Sequence, residues 1–357
     1  MKILVLGGTG AIGTYLIEQL ALTTHTVYVT SRQKRASIYS NVIYLLGNAH
    51  DTTFLSSIST TKYDVLVDFM NYTAKEFTQQ ISLLLKMTDQ YIFLSSARVY
   101  ADANRPLQES DVRLYDTELR NNLAPNSYPL AKAMQENLLL QAPANNWTII
   151  RPYITYSPER LQLGAYEKEH WLYRILNGHT VWIPNELANR QTTMTDGRNV
   201  AAYIAKLIGN PKSYGKVIQI ASGESVLWKD ICDIYSNAIQ RETGIVPAIE
   251  YKGDIRKIQK ITRRTDQFQY DRMYNRTFDC RLLEEIVCEP LTFTPVKEGL
   301  YRAIQIFFKN PQTWKKISWL YEGYMDKVTK ERTPLKQIPE IRSKAKYFLG
   351  HIIPDME

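Results

Sequence analysis

Tyr128 and Lys132 stand four residues apart in the stretch Tyr128-Pro129-Leu130-Ala131-Lys132. On a helix that spacing puts both side chains on one face, about one turn apart. An ammonium beside a phenol favours the phenolate and draws its pKa down from about 10. A tyrosine tuned in this way can take a proton from an alcohol, or return one to a ketone, while a hydride leaves or reaches the carbon. Pro129 is tolerated because the first turn of a helix has no partner for the N–H that proline lacks. In Ser95-Ser96-Ala97-Arg98-Val99-Tyr100, Ser96 stands just past an apolar run and can hydrogen-bond the same substrate oxygen.

A second group of residues suits a phosphate. Ile3-Leu4-Val5-Leu6 runs into Gly7-Gly8-Thr9-Gly10-Ala11-Ile12-Gly13, and apolar residues at helical spacing follow. A dinucleotide pyrophosphate must approach backbone N–H groups at a helix N-terminus, where a Cβ would collide with it. Gly7 permits the tight turn, Gly10 the close approach and Gly13 the packing of helix on strand, while Thr9, Ala11 and Ile12 complete the expected cofactor-binding turn. Sites that hold a ribose 2′-hydroxyl carry an acid at the end of the second strand, and an arginine there suits a 2′-phosphate. This chain has Thr30-Ser31-Arg32-Gln33-Lys34-Arg35, three cations and no acid. Arg32, with Ser31 as hydrogen-bond donor, therefore points to NADP(H), with NAD(H) as the alternative.

The elements that must position these groups alternate in period. Strand-like runs at 3–6, 26–30, 42–46, 64–69, 91–95 and 147–151 are separated by helical patterns at 12–22, 74–87 and 127–141. Several runs are apolar throughout, the mark of a parallel sheet covered on both faces. The expected fold is an α/β doubly wound domain over residues 1–155, which can also recruit 197–222. A smaller mixed α/β lobe follows over 156–310. A basic helical extension occupies 311–357, its last part, from 331, expected to wrap over the body. Helical patterns at 166–177, 197–209, 227–241, 280–287 and 297–309 and short β-like runs at 181–183 and 216–220 fill the middle.

Composition sets the outer limits. The 357 residues are 44% hydrophobic and 22% charged, which excludes a disordered or fibrous chain. No apolar run approaches the ~18 residues of a bilayer span, and no cleavable leader is expected. Three cysteines without a CxxC pair, and five scattered histidines (His25, His50, His170, His179, His351), give no disulfide framework and no metal site. A reduced, cytoplasmic compartment is expected. The net charge is +8, and residues 252–276 (eight Lys/Arg, three Asp/Glu) and 309–357 (ten, six) contribute +5 and +4, leaving −1 elsewhere. Such cations can meet phosphates, nucleic acid or an anionic membrane face.

Taken together, GGTGAIG at 7–13, SSARVY at 95–100, YPLAK at 128–132 and RPYITYSP at 151–158 resemble the extended short-chain dehydrogenases/reductases, the group labelled NAD-dependent epimerase/dehydratase. The resemblance covers residues 1 to about 305. It implies a Rossmann-type fold, a catalytic trio of Ser96, Tyr128 and Lys132, with Lys132 also at the nicotinamide ribose, and a homodimer formed through the helices at 74–87 and 127–141. Asn48 stands where the family often has an acid for the adenine. Asp68-Phe69-Met70-Asn71 replaces the usual His-Leu-Ala-Ala and puts Phe69 and Met70 on the cofactor wall. Ala97-Arg98 replaces the Asp-Glu pair of the sugar 4,6-dehydratases, which disfavours that chemistry. Arg98, Tyr153, Arg190, Thr192 and Arg272 are the expected substrate contacts. The implied activity is NADP(H)-dependent reduction of a nucleotide-activated or phosphorylated ketosugar in carbohydrate biosynthesis, or epimerisation with a retained cofactor. The middle of the chain also resembles chloroplast stem-loop RNA-binding proteins, a branch that often lacks the Tyr/Lys pair. The rival reading is thus a non-catalytic scaffold that binds RNA or anionic surfaces through its C-terminal cations.

Overall fold

In the computed structural model, which describes residues 1–252, 255–256, 265–310 and 314–353, seven parallel strands make one central sheet. They are β1 (Lys2–Leu6), β2 (Thr26–Ser31), β3 (Val42–Leu46), β4 (Tyr63–Asp68), β5 (Thr88–Leu94), β6 (Trp147–Pro152) and β7 (Lys216–Ile220), in the order β7-β6-β5-β4-β1-β2-β3. The chain builds outward from β1 to β3, then crosses back to lay β4 on the other side of β1. In open sheets of this kind, ligands bind beyond the carboxyl ends of the strands at such a reversal. The last strand comes from far along the sequence: β7 pairs with β6 from Lys216↔Thr148 to Ile220↔Pro152.

Burial on both faces explains why β1 is apolar from Ile3 to Leu6. Ile3 and Val5 face a cluster that includes Leu16, Val200 and Ile204. These come from α1 (Gly13–Ala21) and α6 (Gly197–Leu207). Leu4 and Leu6 face the opposite cluster with Leu55, Phe77 and Leu139, from α2 (Thr52–Ile58), α3 (Ala74–Lys86) and α4 (Tyr128–Leu140). A capping box between Thr73 and Glu76 fixes where α3 begins, by satisfying amides that the first helical turn leaves unpaired. The short α2, capped by Asp51, was not expected from the sequence. With Leu55 as its one fully buried residue, it has no apolar period to read.

A second core, with Trp171, Trp182, Trp228, Tyr235 and Ile304, lies in the part of the chain beyond β6. It is assembled by α5 (Lys168–Leu176), α7 (Trp228–Thr243) and α9 (Val296–Lys309) with two- and three-residue strand pairs, while α8 (Arg281–Val287) packs Leu283 and Ile286 into the cluster that holds Ile3 and Val5. The extension departs from its expected form. Helix begins at Trp319 rather than 311, giving α10 (Trp319–Thr329), and a further helix, α11 (Ile341–Ile352), packs against it. Residues 311–313 and 354–357, and the 253–254 and 257–264 parts of the basic stretch, lie outside the described residues. Gly323 and Gly350 make the α10–α11 crossing close: a Cβ on either would run into the facing helix's backbone. Since Tyr347 and Gly350 are the fully buried residues of α11, its sequence lacks the core-facing stripe that announces a helix.

The extension is fastened to the body by charge. The Arg174 guanidinium of α5 donates to Glu322 (2.8 Å), Asp326 (2.9 Å) and Glu331 (3.0 Å), and its Nε to the Thr180 carbonyl. Asp326 also accepts from Tyr347 and Thr333. Removing the cation leaves the buried Glu322 without its partner and the buried Asp326 without the guanidinium, and breaking a buried pair in this way typically costs about 3–5 kcal/mol. Arg174→Ala should therefore lose roughly 3–5 kcal/mol in urea unfolding and expose the segment after α9 to proteolysis. A loss within ~0.5 kcal/mol, the range of ordinary surface substitutions, would show that the cluster does not fasten the extension.

Candidate active site

At the carboxyl edge of the sheet lies a cavity of about 350 Å³, and Ser96, Tyr128, Lys132, Arg98, Tyr153 and Arg272 all line it. Three elements deliver the chemistry. Helix α4 opens at Tyr128 with Pro129 in its first turn and carries Tyr128, Lys132 and Glu136 at successive steps of four. The end of β5 supplies Ser95 and Ser96, and β6 supplies Arg151 beneath them.

Lys132 is buried and has its ammonium at the ends of two strands. It donates to the Leu94 carbonyl at the end of β5 (2.8 Å) and the Met70 carbonyl after β4 (3.3 Å), and sits 4.5 Å from the Phe93 ring centre. An ammonium has three donors, so one remains for a ligand. Burial pulls its pKa below the ordinary lysine value, while Tyr128 and Asp68 oppose that shift. Ser96 caps the single 3-10 turn Ala97–Val99, its Oγ accepting from the Arg98 amide at 3.2 Å. Its hydroxyl proton stays available to a substrate oxygen.

Beneath the trio lies a charge network that sequence reading missed. The fully buried Glu136 carboxylate accepts from Arg151 (2.7 and 2.8 Å), Ser95 (2.6 Å) and Arg113 (3.1 Å). Burial alone pushes this carboxyl up, but the hydrogen bonds from Arg151, Ser95 and Arg113 bring it below its ordinary value. The available signal was spacing, since Glu136 continues the Tyr128–Lys132 face by one more turn. Asp68, left unexplained by the sequence, is fully buried and accepts from the Met70 amide (2.9 Å) and the Tyr91 hydroxyl (2.8 Å). It holds the Phe69–Met70 turn, and both of those residues line the cavity.

The glycine turn lies on the same edge. Gly7 has φ +70°, a Cβ on Gly13 would run into the Gly8 backbone, and a Cβ on Gly10 would meet nothing within 4 Å. Helix α1 starts after Ile12 with no side-chain cap on its amides. Open space above Gly10 and an uncapped N-terminus fit a pyrophosphate, and Ile12 reaches the cavity itself. Thr9 is exposed and Ala11 half-buried. Arg32 is exposed at the end of β2, whereas the Ser31 hydroxyl is spent within its own turn, donating to the Gln33 carbonyl (2.7 Å) and accepting from its amide. Asn48 is exposed after β3, its side chain accepting from the His50 amide.

On the far wall, Arg98 lies 5.0 Å from the Tyr128 ring centre and 3.6 Å from Asp271. Its buried Nε has no hydrogen-bond partner. Arg272 and Arg276 are buried and ion-paired with Asp271, so these two cations of the basic stretch belong to the interior. Arg272 also donates to Tyr153 (3.3 Å) and to the Gly164 carbonyl. Arg190 and Thr192 do not line the cavity. Arg190 gives its carbonyl to the Trp228 amide, and Thr192 is buried in a short antiparallel pair with Val226.

Sequence comparison matches residues 3–221 to the NAD dependent epimerase/dehydratase family. The chain belongs to that family. A chloroplast stem-loop binding protein of 41 kDa from Arabidopsis thaliana is 29% identical over 245 residues, 64% of this chain and 60% of the relative. A UDP-N-acetyl-alpha-D-glucosaminuronate decarboxylase from Bacillus cytotoxicus is 26% identical over 189 residues, 46% of this chain and 57% of the relative. The chain thus spans about 60% of the length of these curated relatives. Among solved structures, an epimerase from Methanothermobacter thermautotrophicus superposes with a TM-score of 0.67 at 15% identity, over 87% of this chain and 92% of the other. A UDP-glucuronic acid 4-epimerase from Bacillus cereus, in complex with NAD, gives 0.64 at 16% identity, over 88% and 100%.

Burial raises the Asp68 carboxyl to about 6, against the pull of the Met70 amide, Tyr91 and Lys132. A folded-state pKa above the ordinary carboxylate value means that folding takes up a proton. The associated stability is complete below about pH 4 and is lost as pH rises through about 6. Asp68→Asn cannot titrate. In urea unfolding, its stability relative to wild type should improve by on the order of 3 kcal/mol between about pH 4 and pH 7. A difference that stays flat with pH would show that the carboxyl is not raised.

Proposed function

We propose that this family member transfers hydride at a carbon of a nucleotide-activated or phosphorylated sugar, with Tyr128 as the group that gives and takes the hydroxyl proton. The observation that carries the reading is one cavity lined by Tyr128, Lys132 and Ser96 at the carboxyl edge of the sheet. A nicotinamide dinucleotide held on the glycine turn would supply or accept the hydride. Gly7, Gly10 and Gly13 would face its pyrophosphate, Lys132 its ribose, and Phe69 and Met70 its flank. In reduction, Tyr128 protonates the carbonyl oxygen, and in oxidation it takes that proton back. Lys132 stabilises the phenolate that Tyr128 becomes after giving up its proton, and the Ser96 hydroxyl donates to the same substrate oxygen.

The far wall suits an anion. Arg98 and Arg272 both line the cavity and would meet the phosphates of the substrate. The name of the decarboxylase relative, which specifies a UDP-linked uronate, supports a nucleotide sugar. The finer reading is net reduction of a ketosugar with NADP(H), supported by the exposed Arg32, Lys34 and Arg35 and the absence of an acid in residues 30–35. Epimerisation with a retained NAD is the alternative. Mass analysis of nucleotide carried through purification separates the two, since tightly held NAD favours the epimerase. We also propose a homodimer through α3 and α4, whose Ile81, Leu83, Leu85 and Leu138 flank the core and are only half-buried.

A second reading, RNA binding without catalysis, is favoured by the similarity to the stem-loop binding protein. It requires an affinity that falls steeply with salt and is indifferent to Tyr128.

Tyr128→Phe should lower turnover of the responsive sugar, found by a nucleotide-sugar screen, by about 10²–10⁴-fold. Dinucleotide affinity, read by NADPH fluorescence titration, should stay unchanged. Full activity in that variant would remove Tyr128 from the chemistry. Arg32→Ala should weaken NADPH about tenfold while leaving NADH unchanged, the loss of one charge-assisted contact. Equal effects on the two nucleotides would refute the 2′-phosphate assignment.

A further inference from the structure

Helix α11 presents two unlike faces. Tyr347 and Gly350 are buried against α10. On the opposite side Ile341, Phe348, Leu349 and Ile352 are 84%, 46%, 52% and 72% exposed. With the exposed Ala345 between them, these residues recur at intervals of three, four and seven, which is a single helical stripe. From Ile341 to Ile352 it runs roughly 16 Å at 1.5 Å per residue. Arg342, Lys344 and Lys346 flank it, and residues 341–352 contain no Asp or Glu. Of the acids before it, Asp326 and Glu331 grip Arg174, and Glu331 also accepts from Thr180, while Glu340 stands exposed at the N-cap of α11. The exposed side of the helix therefore carries an apolar strip between rows of positive charge.

We propose that α11 is an interfacial anchor that seats the protein on the surface of an anionic lipid bilayer. Charge complementarity selects this occupant. Pairing the stripe with a second copy of itself would bring Arg342, Lys344 and Lys346 against their own kind, whereas acidic headgroups neutralise them. A nucleic acid would meet the cations but gains nothing from the aliphatic Ile341, Leu349 and Ile352. Among the described residues no helix is long and apolar enough to cross a membrane, and the twelve-residue α11 is too short to span one. A helix of this kind lies in the interface plane, with apolar side chains among the acyl chains and cations at headgroup level. The Arg174 cluster and the Gly323–Gly350 crossing hold α11 by its other side, so the stripe stays outward without any unfolding. The inference is independent of the reaction at Tyr128.

The test is flotation of the full-length protein with vesicles of phosphatidylcholine alone and of phosphatidylcholine with roughly one-third phosphatidylglycerol. Wild type should float with the anionic vesicles and not with the neutral ones. Phe348→Ser combined with Leu349→Ser should reduce partitioning about tenfold or more. Replacing Arg342, Lys344 and Lys346 with Gln should reduce it by a similar factor and flatten its salt dependence. Both variants alter exposed side chains, and an unchanged melting temperature confirms that they fold. The proposal is overturned if wild type fails to float with anionic vesicles, or if the Phe348/Leu349 variant floats equally well. It is also overturned if sedimentation shows a dimer that this variant converts to monomer. RNA binding that the charge variant loses and the Phe348/Leu349 variant keeps, without vesicle binding, would overturn it as well.

Discussion

The site depends on one buried ion pair. Glu136 and Arg151 are almost wholly removed from water and joined through two hydrogen bonds. A pair in that position is not justified by stability alone, because desolvation offsets much of its attraction. What it does is geometric. Glu136 lies on α4, Arg151 on β6 and Ser95 at the end of β5, so one carboxylate ties three elements together. Sliding or turning α4 by a fraction of a turn would break those bonds and strand a charge in the interior. The same rotation would carry Tyr128 and Lys132 out of the cavity, since all three side chains share one face of the helix. The ion pair therefore sets the position of the phenol.

A second constraint fixes the amine. Lys132 binds a carbonyl that follows β4 and one at the end of β5, two neighbouring strands, which places its charge where the sheet's unpaired backbone groups end. Asp68 holds the turn that offers one of those carbonyls, through the Met70 amide and Tyr91. Buried positive charge is thus balanced by oriented carbonyls and a nearby carboxyl that itself resists ionisation. The opposite wall is organised differently. Asp271 gathers Arg98, Arg272 and Arg276, so one carboxylate faces three guanidiniums, and Arg98 lies beside Tyr128. One wall is closed and self-sufficient; the other is left wanting an anion.

Much of this was legible in the residues because it follows from local pattern. All seven strands of the sheet correspond to apolar or β-branched runs, and the apolar character of β1 at both faces is what a strand between two helical layers requires. The turn of Gly7, Gly10 and Gly13, the Tyr128–Lys132 spacing and the placing of Ser96 are likewise short-range features. What escaped was set by tertiary contact. Thr192 is buried by packing away from the cavity, and Arg190 does not line it either. Ser31 stands at the right strand end, but its hydroxyl closes its own turn. Glu136 acts through partners distant in sequence, and nothing adjacent to it reveals which cations it will meet; Asp271 pairs with its neighbours Arg272 and Arg276 but meets Arg98 only through the fold. Helix α11 escaped because its buried side is small.

The extension repeats the device that positions the active site, for a different end. Arg174 is enclosed by Glu322, Asp326 and Glu331 as Glu136 is by Arg151, Arg113 and Ser95. In both cases a buried charge with several partners fixes the angle of a helix that packing alone would leave loosely specified. For α4 the result is a side chain held inside a cavity. For α11 it is the reverse, because α10, seated by Tyr321, Tyr324 and Met325 in the core and by its charges, holds α11 through a backbone crossing that frees it from the need to bury its own stripe. A helix docked by hydrophobic packing must turn its apolar stripe inward. One docked through Arg174 and a backbone crossing can turn it outward, and α11 does so with lysine and arginine along both margins.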